Sequence, residues 1–286
     1  MNSGFELLDY IIFATYAFVI LTIGLWVSRD KKGKEKSAED YFLAGKSLPW
    51  WAIGASLIAA NISAEQVIGM TGSGFVVGLA IASYEWMAAI TLIIVGKYFL
   101  PIFIEKKIYT IPEFVEKRFS TELKTILAVF WIGLYIFVNL ASVLYLGGLA
   151  LETILDVDMK YAVLGLGLFA AAYSLYGGLS AVAWTDIIQV FFLILGGIVT
   201  TYLALDTVSG GQGAIEGFKT IYNAVPEKFD MILDKSNPEY NNLPGLGVLI
   251  GGMWVANIYY WGFNQYIIQR TLAAKSLKES QKGILF

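Results

Sequence analysis

Seven long apolar runs divide this sequence, at residues 10–27, 50–78, 79–100, 125–151, 161–176, 187–205 and 246–268. About 20 predominantly apolar residues cross a bilayer as a helix. Backbone groups in hydrocarbon must pair within the chain, so such runs are placed as spanning helices. The fold class that follows is an all-α polytopic membrane protein, with residues 1–286 as a single transmembrane domain. Hydrophobic residues make up 57% of the chain and charged residues 15%, against roughly 45–50% and about 25% in soluble domains. The first run reads as a span and not as a signal peptide, because its flank carries Glu6 and Asp9 and no small-residue cleavage site follows.

The basic residues give the chain a direction. Lysine and arginine concentrate in cytoplasmic loops. Arg29, Lys31, Lys32, Lys34, Lys36 and Lys46 follow the first run, six more lie in residues 97–124, and Arg270, Lys275, Lys278 and Lys282 follow the last. The opposite side holds only Lys160, Lys219, Lys228 and Lys235 of the 20. An outside amino terminus and a cytoplasmic carboxyl end are therefore expected. Residues 206–242, rich in Gly, Asn and Pro, form a long external connector with room for a short helix, and Ile111-Pro112-Glu113-Phe114 marks an interfacial helix that starts at the proline.

The sequence has no cysteine and no histidine. Disulfides, Cys/His zinc sites, thiol nucleophiles and Ser-His-Asp relays are thereby excluded, and no catalytic residue is expected. A net charge of −3 offers no electrostatic footprint for nucleic acid.

A carboxylate inside a bilayer is costly unless it faces protein or water, which makes it a functional candidate. Glu65 lies near the middle of the second run, Glu85 lies early in the third, and Asp186 lies at the cytoplasmic start of the sixth. The second run has a polar centre, Asn61 to Gln66, followed by Gly69, Gly72, Gly74 and Gly78. Two readings stand: a helix broken at mid-depth, whose freed carbonyls can hold a small hard cation, or a long tilted helix with glycines for close packing. The seventh run repeats the theme with Gly251, Gly252 and Asn257, and places Asn257 on one helix face with Tyr260 or Trp261. Counting from the second run, the seventh begins after five helices, and a repeat with an odd number of spans recurs inverted. Interrupted polar spans at matching positions of inverted repeats are the pattern of an alternating-access transporter with a midplane site. Amide, carboxylate and aromatic groups together suit a polyol.

The stretches YFLAGKSLPWW from Tyr41, AANISAEQ from Ala59, ASYEW from Ala82, YGGLSAVAWTD from Tyr176 and YYWGFNQYIIQRTLAAK from Tyr259 resemble the sodium:solute symporter family, in its sodium/glucose cotransporter branch. The resemblance implies an inverted-repeat (5+5) symporter fold in a bacterial cell membrane, a sugar of galactose or glucose type as cargo, sodium as the coupling ion and no other cofactor. It implies that Gln66, Glu85 and Asn257 bind sugar hydroxyls, that Tyr260 stacks on the sugar as the inner gate with Asn61 beside it, and that Met70 and Tyr84 form the outer gate. It further implies that the backbone carbonyls of Ala59 and Ile62 supply half of a sodium site, and that Asp186 lies near the ion's cytoplasmic exit. One position departs: three residues after Glu85, where galactose-transporting members place a serine, stands Ala88, so the sugar's identity stays open. Glu65 has no implied role and reads as a satisfied core carboxylate.

Rival readings are a heptahelical receptor, a sensor built on a transporter-like module, and a symporter of myo-inositol, sialic acid or another organic solute. A retinal protein is excluded, because residues 246–268 contain no lysine. One extra helix, a complete five-helix repeat and the first helix of a second account for the seven runs. The chain is therefore expected to be a C-terminally truncated transporter, with residues 282–286 opening a further span and the remaining sodium ligands beyond them.

Overall fold

The computed structural model describes residues 6–27, 29, 37–243 and 245–286. Lys31, Lys32, Lys34 and Lys36 lie outside the described residues. Regular structure among the described residues is helical, with one isolated bridge between Leu48 and Ala274. This is the all-α class expected. The helices leave much apolar surface uncovered: Phe75 is 86% exposed and Phe137 80%. Apolar helix surface that no protein covers is what a lipid-facing span presents.

Helix α1 (Leu7–Val27) is followed, after a short helix at Ala38–Phe42, by α2 (Trp50–Asn61) and α3 (Glu65–Val77). Helices α2 and α3 together occupy the second run and meet at a bend of 59°. The broken-helix reading is therefore the correct one. Ile62 is extended at the break (φ −86°, ψ 107°), where the Ser63 hydroxyl accepts the Glu65 N–H and the Gln66 side chain accepts the Ser63 N–H in place of helical partners. Gly78 (φ 85°, ψ −155°) then turns the chain into α4 (Leu79–Glu105).

Helix α5 (Ile111–Arg118) starts at the proline as anticipated, and the Thr110 hydroxyl accepts the Glu113 N–H as its cap. Helix α6 (Thr121–Leu155) is capped in the same way by Ser120. Residues Met159–Val208 are helical over 50 residues, a length of about 75 Å at 1.5 Å per residue and far too long for one bilayer crossing. Gly178 divides the stretch into α7 (159–177) and α8 (179–208) by adopting φ 58°, ψ −152°, a region open in practice only to glycine. The connector beyond α8 carries a short helix, α9 (Ala214–Ala224), as expected.

The last run is interrupted twice. Helix α10 (Gly245–Ile250) gives way at Gly251 and Gly252 to α11 (Met253–Phe263), with a bend of 71° between Pro238–Ile250 and Met253–Phe263. The chain extends again at Asn264 (ψ 118°) before α12 (Gln265–Leu272) and α13 (Leu277–Leu285). Residues 282–286 lie at the end of α13, which buries Ser280, Gly283 and Ile284. The main buried cluster includes Leu48, Ile53, Phe103, Ile267 and Ile268, so it ties α2, α4 and α12 together beside the breaks. A second, smaller cluster packs Leu233 and Leu243 of the connector on Val77 and Ala80.

Gly178 carries a direct prediction. A Cβ there would lie 2.4 Å from the Tyr41 carbonyl oxygen and 3.0 Å from the Tyr41 ring, and Tyr41 is itself fixed by the hydrogen bond its hydroxyl donates to the Leu175 carbonyl at 3.0 Å. Backbone strain of about 1–3 kcal/mol adds to that clash. Gly178→Ala is expected to lower the thermal unfolding temperature of the detergent-solubilised protein by several degrees. Gly72→Ala, where a Cβ meets nothing within 4 Å, serves as the control and is expected to leave it unchanged or raised.

Candidate functional site

The two interrupted spans face each other across a chamber of about 780 Å³. Of the residues singled out in the sequence, Ala59, Asn61, Gln66, Tyr84, Glu85, Ala88, Asn257 and Tyr260 line it. Glu65 lines it as well and is exposed, so it is no core carboxylate. Met70, Ile62 and Asp186 lie outside its wall. Ile62 lines an adjoining cavity of about 360 Å³ that shares Asn61 and Glu85 with the chamber.

The break between α2 and α3 is built by Gln66. Its Oε1 accepts both the Ser63 N–H and the Ser63 hydroxyl at 2.9 Å, which leaves its amide NH2 free for the chamber. In an unbroken helix the Ser63 N–H would bond the Ala59 carbonyl, and the Gln66 N–H would bond that of Ile62. Here the Gln66 N–H donates instead to the Ser63 carbonyl at 3.1 Å. The Ala59 and Ile62 carbonyls accordingly receive no donor among the described residues. Two backbone oxygens without helical partners at mid-span are ready ligands for a hard cation.

Across the chamber, Asn61 donates from Nδ2 to Glu85 Oε2 at 3.3 Å, which holds the carboxylate toward the cavity. Asn257 is buried and donates to the Met253 carbonyl at 3.1 Å, so its Oδ1 remains an acceptor. The Tyr260 hydroxyl accepts from Tyr266 at 3.0 Å, and the Tyr260 ring meets Trp261 and Tyr266 edge-on. The ring is thereby braced in one orientation. Tyr84 packs against the cluster formed by Val77, Ala80, Leu233 and Leu243, so the connector reaches the chamber's rim.

Sequence reasoning missed Tyr135 and Asn139 on α6, which also line the chamber. Their signal was present: they stand four residues apart, on one helix face, within an otherwise apolar run. Tyr135 donates to Asn264 Oδ1 at 2.8 Å and accepts the Gln265 N–H at 3.3 Å, which holds the second interruption open.

Asp186 is buried on α8 and serves a different cluster. It accepts from Ser56 Oγ at 2.5 Å and lies 3.7 Å from Arg270 Nη2, while Arg270 Nε donates to Ser56 Oγ at 2.9 Å. Arg270, which follows the last apolar run in sequence, is 9% exposed and closes this triad between α2, α8 and α12.

Helices long and apolar enough to cross a bilayer, with two bent helix pairs around a polar chamber, define the architecture of a helical membrane protein. It belongs to the Sodium:solute symporter family, which it matches over residues 41–286. It is 72% identical over its whole length to the sodium/glucose cotransporter of Vibrio parahaemolyticus, covering 53% of that protein. It is 33% identical to the human sodium/myo-inositol cotransporter 2 over 99% of the chain and 43% of that protein. Its structure aligns with that of a Na+-coupled sialic acid symporter in a substrate-bound outward-open state, with a TM-score of 0.83 and 25% identity, over 99% of this chain and 56% of the other. The chain spans about half the length of the curated relatives it matches.

Proposed function

We propose that this chain forms part of a sodium-coupled carrier that moves a hexose across the bacterial cell membrane by alternating access, with its amino terminus outside and its carboxyl end cytoplasmic. The observation that carries this reading is the convergence of Gln66, Glu85, Asn257 and Tyr260 on one chamber beside the break that frees the Ala59 and Ile62 carbonyls. The Gln66 amide donates to sugar hydroxyls, the Glu85 carboxylate and Asn257 Oδ1 accept from them, and the braced Tyr260 ring covers the less polar sugar face as the inner gate, with Asn61 beside it. Tyr84 and Met70 close the outer side. Sodium takes the two free carbonyls as part of its coordination, and Asp186 lies on its way to the cytoplasm.

Coupling is a difference in affinity between two arrangements: an ion that binds the outward-open arrangement better favours that arrangement and the sugar site with it. The high identity to a protein named for glucose supports a hexose over inositol or sialic acid. The Ala88 methyl at the chamber wall offers no hydroxyl contact, so glucose and galactose are to be tried together.

The test is uptake by proteoliposomes carrying the full-length transporter, with labelled glucose, galactose, myo-inositol, sialic acid and amino acids under an inward sodium gradient. Hexose accumulation that vanishes when potassium replaces sodium is expected. Hexose uptake indifferent to sodium would overturn the coupling, and accumulation of inositol or sialic acid alone would overturn the choice of cargo.

A further inference from the structure

A second, much smaller cavity of about 100 Å³ lies at the end of the bundle where α4 and α12 stop, and three lysines from separate segments converge on it: Lys46, Lys107 and Lys275. None of them lines the chamber between the interrupted spans. They are held there by the backbone. Lys46 and Lys107 adopt left-handed φ values of 49° and 51°, uncommon for residues with a side chain and seen mainly where surrounding structure imposes them. Lys275 is fixed by the hydrogen bonds of the Leu48–Ala274 bridge, its own N–H donating to the Leu48 carbonyl at 3.2 Å.

The charges around the cavity are unevenly balanced. Lys46 lies 3.4 Å from Glu39 and its ammonium sits 4.6 Å above the Tyr109 ring, so its charge is partly answered. Lys107 and Lys275 have no carboxylate partner among the described residues. Glu105 and Glu113 stand four residues to either side of Tyr109, and neither lines the cavity; Glu113 is taken up by Lys117 at 2.6 Å and by the Tyr109 N–H. The Ser276 hydroxyl on the cavity wall accepts the Glu279 N–H, and its own hydrogen has no acceptor among the described residues. Two unanswered ammonium groups and a free hydroxyl donor over a small concavity form a receptor for a compact oxyanion. Lys107, Lys275 and Ser276 are exposed, so an anion reaches them from solvent, while Phe103 and Leu272 form the buried floor of the cavity. Spans of the length of α4 end at headgroup depth, where phosphates are abundant.

We propose that this cavity is a phosphate-binding site, filled by the phosphate of an anionic phospholipid headgroup or by soluble phosphate. Native mass spectrometry of the full chain in neutral detergent, titrated with phosphatidylglycerol and separately with phosphatidylcholine, tests the lipid source. Thermal unfolding in inorganic phosphate against chloride at matched ionic strength tests the soluble one. Lys107→Gln with Lys275→Gln is expected to weaken phosphatidylglycerol binding about tenfold or more while phosphatidylcholine binding is unchanged. Lys106→Gln with Lys278→Gln removes the same charge from residues off the cavity wall and is expected to have a much smaller effect. Stabilisation by inorganic phosphate that the first variant loses, without the lipid preference, would uphold the site with a soluble ligand. Equal loss in both variants, or no loss of either ligand in the first, would overturn the proposal. Unchanged sodium-driven uptake or thermal unfolding in lipid-free detergent verifies that the first variant is folded.

Discussion

Glu85→Ala in the full-length transporter is expected to cut sodium-driven hexose uptake at low sugar concentration by ten- to a hundredfold while leaving the amount of folded protein in the membrane unchanged. The carboxylate is the one charged acceptor that the chamber presents from α4, and Asn61 already aims it inward at 3.3 Å. A hydrogen bond to a charged group contributes roughly 1.5–3 kcal/mol, and each 1.4 kcal/mol is about tenfold in affinity. The cost to folding is small because the side chain is exposed to the cavity and no buried partner is orphaned. Gln66 behaves differently, because it has two tasks. Alanine there removes the sugar-facing donor and also uncaps Ser63 at the break, so stability and uptake fall together. Gln66→Glu keeps an oxygen for Ser63 but lacks the NH2, and is expected to preserve the fold while still losing sugar affinity. Uptake by either Glu85→Ala or Gln66→Glu that matches the wild type would remove these residues from the sugar site.

Much of this arrangement was legible in the sequence because bilayer physics leaves few choices. Apolar runs of span length become helices, a proline after Ile111 starts one, and Asn61 to Gln66 interrupts another where local side-chain partners replace helical ones. Residues whose role depends on a distant partner were harder to read. Arg270 follows an apolar run and looks like a loop charge; only the fold brings Ser56 and Asp186 to it across 214 residues and a separate helix. Glu65 sits in mid-span like a core residue, yet the bend of 59° turns it to the cavity wall. Tyr135 and Asn139 were visible as a polar pair but gained meaning only once α6 was placed beside the chamber.

The largest effect on stability is expected from Arg270→Ala. The guanidinium is buried, spans α2 and α8, and also donates to the Tyr266 carbonyl, so its removal leaves the Asp186 carboxylate buried with Ser56 as its remaining hydrogen-bond partner. Breaking one side of a buried ion pair typically costs about 3–5 kcal/mol, because the uncompensated charge loses both water and partner. The double substitution Asp186→Asn with Arg270→Ala removes the orphaned charge and is therefore expected to be more stable than Arg270→Ala alone. That ordering separates an electrostatic clasp from mere loss of packing, since simple packing losses add while a shared charge pair does not. Thermal unfolding of the four proteins in one detergent supplies the cycle. If the double variant is no more stable than Arg270→Ala, the triad does not act as a charge pair and Arg270 contributes through its stem alone. If the clasp exists, its consequence reaches the chamber: α2 carries the Ala59 carbonyl at its end and α12 follows the Asn264 interruption. Arg270→Ala is then expected to loosen both breaks at once and to raise the sodium concentration needed for half-maximal uptake, even in the fraction that still folds.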